Sequence, residues 1–355
     1  VLDLTNPTSR LTVTGDACVS GVITAANFAK ADGSSLGGFE PDADGNLVAG
    51  TNAGANLDGT SGCFNVFLGQ CAGRCATSGH TNVFLGKEAG KLTTSGCCNI
   101  ALGLQAMAFA ATTGSKNLVI GTEAGKSLTS GNQNTVLGAF AGSNLQTGGD
   151  NVFVGTRAGR QVEGGSCNTF IGFEAGRYAS NSSDNVALGR RAGRKITSGS
   201  CNIAIGQFAM SECTVTGNKN VTIGDNAGRT LTTGSCNLAL GSYSMGSGTI
   251  TGDKNVAIGI CANQNASSGG GNVMIGHQAG KCNTVKDNNV FVGCNAGRCN
   301  TGGGNVYIGA QAGCDVDTST ANFNIAIGCR AGYLKMTGKR NIVLGCKANV
   351  PVLSA

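Results

Sequence analysis

The sequence predicts an all-β fold, a parallel β-solenoid (β-roll) of about 18 coils with a 17-residue repeat. Three observations predict it: a strand-like phrase that returns at a fixed step, glycine-rich corners between the phrases, and apolar residues that fall in regular columns. A fixed period this short, with one strand per period, is typical of a solenoid whose coils stack on one another.

The repeating phrase is Asn-Val-Phe-Leu-Gly at Asn65–Gly69, and it recurs in recognisable form through Gly345 with a step of 16 to 19 residues. An earlier degenerate copy, Asn46–Gly50, brings the number of copies to 18. The clear copies open at Asn65, Asn82, Asn99, Asn117, Asn134, Asn151, Asn168, Asn185, Asn202, Asn220, Asn237, Asn255, Asn272, Asn289, Asn305, Asn324 and Asn341. At about 4.8 Å per coil, the stack is expected to be roughly 85 Å long.

We write the phrase as Asn-b-c-d-Gly, where b and d are mostly Val, Ile or Leu. Because strand side chains alternate between faces, we expect b and d to point into the coil and c to point outward. The c column is itself apolar, and a soluble monomer rarely exposes so long an apolar stripe. We therefore expect other copies of the same chain to cover it. The predicted oligomer interface is Phe67, Phe84, Val119, Val136, Phe153, Phe170, Met274, Phe291, Tyr307 and Val343.

The corner after each strand reads Gly-x-x-Ala-Gly, as at 86–90, and its small residues favour a sharp turn and close approach of neighbouring coils. A Thr/Ser-Gly stretch such as 93–96 is predicted to turn the chain back. Three longer coils carry Met instead of Gly at the end of the corner, and we expect Met107, Met210 and Met245 to fill the space that the extra residue creates. A second apolar column is predicted to form the other wall, at Leu92, Leu128, Leu145, Val162, Ile196, Val215, Leu231 and Ile250.

Composition narrows the classes of function. The 60 glycines follow no three-residue period and only 3 prolines occur, which excludes collagen. The net charge of +6 comes without a basic tail or aromatic platform, so no nucleic-acid partner is expected. No apolar run reaches the roughly 18 residues of a membrane span, so no membrane insertion is expected. We divide the chain into a strand-rich lead-in or connector (1–44), the solenoid (45–349) and a short stub (350–355).

The repeat resembles that of trimeric autotransporter adhesin heads of the YadA type, at Asn185–Gly189, Asn255–Gly259 and Asn324–Gly328. That resemblance implies a left-handed β-roll assembled as a homotrimer. The longer repeat, with the opening Leu11–Asp16 and Gly21–Phe28, is similar to fibre and appendage proteins of marine tailed phages. This second resemblance implies a structural fibre of a virion appendage, joined to other virion proteins at its N-terminal end and serving host attachment. Two departures matter: no coiled-coil stalk or membrane anchor is predicted in this sequence, which counts against an autotransporter, and cysteine is unusually abundant.

Two alternatives stay open at this point. One is a cell-surface adhesin or extracellular filament. The other is an ice-binding solenoid, since Thr recurs once per coil, although its position drifts.

The repeat also holds candidate chemistry, for which a structural role is the simpler interpretation. The Asn column is expected to form an internal ladder that satisfies turn backbone groups. Asp150 and Asp184 lie two coils apart, roughly 9.6 Å by strand spacing, which is near the range of an inverting glycosidase. Each precedes an Asn at a turn, where Asp is ordinary. His80 and His277 are the two histidines, and neither is predicted to belong to a catalytic constellation with a Ser or Cys nucleophile. We therefore predict no enzyme, no cofactor and no metal site.

Cysteines form partial columns, with Cys282 and Cys299, and Cys329 and Cys346, one coil apart. Cys167 and Cys201 lie two coils apart. Packing as small apolar residues is the favoured interpretation, and disulfides within or between chains are the alternative.

A basic row follows the Ala-Gly corner. Stacked like charges repel, so this row needs solvent, the nearby acids Glu88, Glu123 and Glu174, or an anionic partner such as a host-surface glycan. The row is Arg74, Lys91, Lys126, Arg160, Arg177, Arg194, Arg229, Lys281 and Arg298.

Overall fold

A computed structural model of the chain describes residues 41–283, 285–314, 321–333 and 338–349. Nearly all of the predicted lead-in, and the stub at 350–355, lie outside the described residues. Within them the structure is all-β, with 18 short strands and no helix. A segment that could cross a membrane as a helix is accordingly not found in the described part of the chain.

Each strand consists of the b, c and d residues of one phrase, and the degenerate first copy also forms a strand. The strands are β1 (Leu47–Ala49), β2 (Val66–Leu68), β3 (Val83–Leu85), β4 (Ile100–Leu102), β5 (Leu118–Ile120), β6 (Thr135–Leu137), β7 (Val152–Val154), β8 (Thr169–Ile171), β9 (Val186–Leu188), β10 (Ile203–Ile205), β11 (Val221–Ile223), β12 (Leu238–Leu240), β13 (Val256–Ile258), β14 (Val273–Ile275), β15 (Val290–Val292), β16 (Val306–Ile308), β17 (Ile325–Ile327) and β18 (Ile342–Leu344).

All 18 strands belong to one sheet, and each pairs in parallel with the strand of the next coil. The register advances by one whole repeat, as in the pairs Val66 with Val83 and Leu68 with Leu85. Hydrogen bonds between coils continue around the corner, for example from Gly90 N to Ala106 O at 2.8 Å. The predicted parallel β-solenoid is therefore confirmed, with 18 strands and about 17 turns.

The predicted facing of the strands is wrong. In β2 to β18 the c residues are buried inside the coil, whereas b and d are partly exposed, as for Ile120 (37% exposed); in β1 the c residue Val48 is itself 37% exposed. Alternation determines only which residues share a face. The phrase Asn and c share a face, and the buried Asn therefore places c inside. The residues predicted as an oligomer interface form the core of the single chain: Phe67, Phe84, Val119, Val136, Phe153, Phe170, Met274, Phe291, Tyr307 and Val343 are at most 5% exposed.

The c residue and the last corner residue fill the core together, so that one is small where the other is large. A Cβ added to Gly176 would lie 2.2 Å from Phe170 Cδ2, so a large c residue requires glycine there. In the three longer coils c is Ala, as at Ala204, and the last corner residue is a buried Met such as Met210. Met107, Met210 and Met245 are buried as predicted, and the small c residue of each coil provides room for them.

In several coils the second wall shows the same balance of volume, although Phe153 shares its coil with the buried Val162. The buried wall residue is the small Ala179 in the coil that contains Phe170, and the larger Ile196 in the coil that contains Ala187. Leu92 is the exception to the predicted column, because the neighbouring Thr93 takes the buried place. Aromatic c residues in adjacent coils stack with nearly parallel rings, for instance Phe153 on Phe170 at 5.3 Å between centroids. The predicted wall residues that are buried are Leu128, Leu145, Val162, Ile196, Val215, Leu231 and Ile250.

The Asn ladder is present as predicted. Asn82 donates from its backbone N to Asn65 Oδ1 (2.9 Å) and from Nδ2 to the Gly96 carbonyl (2.9 Å). This pattern recurs along the stack, so one side chain per coil satisfies a turn carbonyl and the next coil's amide. Thr side chains of the returning turn also act structurally, as when Thr129 Oγ1 donates to Gln146 O at 2.9 Å.

Candidate functional site

The charged side chains converge at the corner that follows each strand. Counting the phrase Asn as position 0, the basic row occupies position 9, and the acids Glu88, Glu123 and Glu174 occupy position 6. Position 6 has positive φ in each coil, for example +56° at Glu174. We call positions 6 and 9 together the basic corner. Because one coil advances the chain by 17 residues, side chains at i and i+17 are neighbours along the axis.

The acids at position 6 pair with bases of the same coil, as expected for the basic row. Glu88 lies 3.4 Å from Lys91, Glu123 lies 2.7 Å from Lys126, and Glu174 lies 2.6 Å from Arg177. Arg229 pairs instead with Glu212 of the preceding coil. Ion pairing within the corner therefore accounts for part of the row.

Glu174 is the centre of an unbalanced cluster. Its carboxylate is 3% exposed and lies near four guanidiniums: Arg177 Nη1 at 2.6 Å, Arg191 Nε at 3.1 Å, Arg194 Nε at 3.4 Å and Arg157 Nη1 at 3.6 Å. We call these four arginines, with Glu174, the arginine cluster. One negative charge against four positive charges leaves a formal excess of three.

Electrostatics and aromatic contacts hold this cluster in place. Burial acts to raise the pKa of Glu174, but the charges of Arg177, Arg194 and Arg191 together outweigh burial and hold that pKa below its ordinary value. The Tyr178 ring lies 4.8 Å from Arg177 Cζ and 5.3 Å from Arg194 Cζ. Carboxylate and ring together restrict the guanidinium planes.

Half of this cluster was absent from the predicted basic row. Arg157 and Arg191 stand at position 6, where most other coils carry acids or neutral residues and only Arg330 and Lys347 are also basic. The signal that could have found them is the 17-residue step, which places Arg157, Glu174 and Arg191 in one column.

The remaining members of the predicted row are spread along the solenoid. Arg160 packs over Phe140 at 5.8 Å, and Lys281 is half-buried. Arg74 and Arg298 are exposed. Of the basic row, Arg177 and Arg194 share the Glu174 carboxylate, and the other members lie singly along the stack or pair with other acids.

A second surface feature is the outward side of the sheet. The b and d columns of β2 to β18 present Val, Ile or Leu at nearly every position, with Thr135 and Thr169 as polar exceptions among the b residues. Several are well exposed, such as Ile171 at 41% and Ile327 at 41%. We call this surface the strand face.

The cysteines pack in several environments. Cys71 is buried, whereas Cys167, Cys201, Cys329 and Cys346 are exposed thiols. Metal-binding groups of three or more His, Cys, Asp or Glu side chains are not found among the described residues. Burial as a small apolar residue therefore describes some cysteines and not these four.

Two pairs of side chains, Asp150 with Asp184 and His277 with Cys294, are the candidates for hydrolytic chemistry. Asp150 and Asp184 both adopt positive φ (57° and 58°) at the turn before the Asn, in keeping with a turn role. Cys294 Sγ lies 3.9 Å from His277 Nδ1, one coil away, a proximity that the sequence analysis did not predict. Both side chains are on the surface. Nucleophilic catalysis would also need a group that orients the base, and an oxyanion site.

No protein-family model matches the sequence, and a comparison with curated proteins found no significant match.

Proposed function

We propose that this chain is a structural fibre segment of a virus-particle appendage similar to a phage tail fibre. In this proposal it provides reach and a repetitive surface for host attachment, and it acts as a homotrimer. The observation that carries the proposal is the strand face, an apolar surface continuous over 17 strands on an otherwise regular stack. At about 4.8 Å per strand it is nearly 80 Å long.

A long apolar sheet face is unfavourable in water and is a site for association. Identical columns on identical chains match in period, so parallel copies can bury the strand face along the whole stack. Burial contributes about 25 cal/mol per Å² of apolar surface, and here the term repeats with each coil. The homotrimer and the virion setting rest on the resemblance of the repeat to adhesin heads and phage fibres.

The two alternative functions, a cell-surface adhesin and an ice-binding protein, would need different residues on the outward side of the sheet. A cell-surface adhesin or filament would use the same rod with a different attachment, and the described residues hold no feature that favours it. An ice-binding surface would need an outward Thr array. The strand face carries Thr135 and Thr169 among aliphatic residues, and turn threonines such as Thr129 donate to backbone carbonyls. We expect no thermal hysteresis.

The test is the solution mass of the native chain by light scattering, with and without reductant, together with electron microscopy. We expect three chains of 35.2 kDa in both conditions and rods at least about 85 Å long. A monomer would contradict the fibre proposal. A trimer that dissociates on reduction would show that exposed thiols, rather than the strand face, hold the chains together.

A further inference from the structure

We propose that the arginine cluster is a binding site for an anionic polysaccharide, carrying sulfate or carboxylate groups. The setting at a host surface rests on the proposed function, whereas binding itself is a property of this cluster. The cluster residues follow the strands at positions 6 and 9, and none of them is a b or d residue of the strand face.

The first argument is charge. Four guanidiniums share one carboxylate, and the buried Nε atoms of Arg157 and Arg177 have no hydrogen-bond partner among the described residues. The other charged residues from Asn151 to Cys201 are Arg160, the exposed Arg190 and Lys195 against Glu163 and Asp184, so these three coils carry seven positive and three negative charges. An approaching anion thus meets an uncompensated positive field.

The second argument is preorganisation. Glu174 is buried and contacts all four arginines, and the Tyr178 and Phe208 rings lie 4.8 Å and 5.6 Å from the guanidiniums of Arg177 and Arg191. Side chains already fixed in this way lose less entropy when they bind an anion. Guanidinium is also the side chain that pairs with planar or tetrahedral oxyanions through two hydrogen bonds.

The third argument is shape. Arg160, Arg177 and Arg194 form a row along the axis with one residue per coil, and Arg157 and Arg191 flank Glu174 in a parallel row. Rows of charge at a step of about 4.8 Å suit a linear polyanion laid along the solenoid. Single-stranded nucleic acid is disfavoured because it needs open aromatic rings for base stacking, and Tyr178 and Phe208 are instead packed against guanidiniums.

The experiment compares two double variants of the full chain with equal loss of charge. Arg157→Gln/Arg191→Gln removes two cluster arginines and leaves Arg177 and Arg194 to neutralise Glu174. Arg74→Gln/Arg298→Gln removes two exposed arginines of the same row and is the matched control. Binding is measured by calorimetry at two salt concentrations, with dextran sulfate, polygalacturonate, neutral dextran and a DNA duplex as probes.

We expect wild type to bind dextran sulfate, polygalacturonate or both, and not neutral dextran. The cluster variant should bind at least about tenfold more weakly, with a salt slope smaller by about two. The control should change less than about twofold. The polymer that binds identifies the anionic group. Absence of binding, equal weakening by both variants, or equal affinity for DNA would overturn the proposal.

Light scattering on the same samples separates this proposal from the fibre proposal. A trimer that binds neither polyanion removes the site and leaves the fibre standing. A monomer that binds with the expected dependence on the cluster keeps the site and removes the trimeric fibre.

Discussion

Glu174 illustrates how the one-coil step concentrates charge around a single residue. Its folded pKa lies below the ordinary value because the surrounding arginines outweigh burial. Stabilisation by Glu174 is therefore complete above the unfolded pKa of about 4.3, and it is lost as the pH falls through the lower folded pKa.

We predict that Glu174→Gln destabilises the chain by about 2 kcal/mol at pH 7, since it leaves four guanidiniums without their carboxylate. The difference from wild type should shrink as the pH falls below about 4. Thermal unfolding followed by circular dichroism at several pH values measures this. Glu123→Gln is the control, because its partially exposed pair with Lys126 contributes under about 1 kcal/mol. A constant difference at all pH values would contradict the linkage.

The Asn ladder makes a second prediction for a single residue. Asn185 donates to Asn168 Oδ1 (3.2 Å) and Gly199 O (3.0 Å), and it accepts from Asn202 N (2.9 Å). Asn185→Ala leaves buried partners unsatisfied and should cost about 3 kcal/mol. It should also speed hydrogen exchange at the Asn202 amide, measurable by mass spectrometry. Asn265→Ala, at a half-buried corner position, should cost under about 0.5 kcal/mol. Equal losses would show that the ladder is not stabilising.

At the scale of the single coil, volume is balanced between strand and corner. Gly176 and Gly193 have nearly the same φ (+57° and +56°). A Cβ would meet the rigid Phe170 ring at 2.2 Å at Gly176, but at Gly193 it would meet the flexible Ile196 Cδ1 at 2.8 Å and Ala187 Cβ at 3.0 Å. The two positions therefore separate overpacking from backbone strain.

We predict that Gly176→Ala destabilises the chain by about 2 kcal/mol more than Gly193→Ala does. The left-handed strain of about 1 kcal/mol is common to both variants and cancels in the comparison. Chemical denaturation of both variants measures the difference. If the two variants lose equal stability, the Phe170 ring can shift within the core, and the volume rule does not hold.

Coil-level patterns could be predicted from the sequence to different degrees. The position of each strand followed from the phrase, and the ladder followed from the repeated Asn. The facing of c could not be read from alternation alone, because both strand faces are apolar. Two comparisons would have identified the core. The ladder Asn and c are two residues apart and therefore share a face, and a small c residue such as Ala204 occurs with Met210 where the large Phe170 occurs with Gly176. The arginine cluster needed residues 17 apart to be compared column by column.

At the scale of the whole molecule, the strand face is the surface through which we propose that copies of the chain associate. Ile205 in β10 lies near the middle of the strand face and is only half-buried in the single chain. A substitution of Ile205 is therefore compatible with folding of the coil itself. In a parallel trimer, the same change would bring three side chains to one interface.

We predict that Ile205→Lys converts the proposed trimer to monomers with unchanged circular dichroism, because burying three cations without partners is unfavourable. Leu104→Lys adds the same charge at an exposed corner and should leave the mass unchanged. Analytical ultracentrifugation measures both. A trimeric Ile205→Lys variant would locate the interface elsewhere.

The uniform register between coils also determines how the chain bears load. Each coil of 17 residues advances the axis by about 4.8 Å but spans about 60 Å when extended. A single chain pulled from both ends should therefore lengthen in steps of about 55 Å, one coil at a time, and optical tweezers can record this. Because each released coil dissipates work while its neighbours stay folded, such a chain would yield gradually under sudden strain instead of snapping.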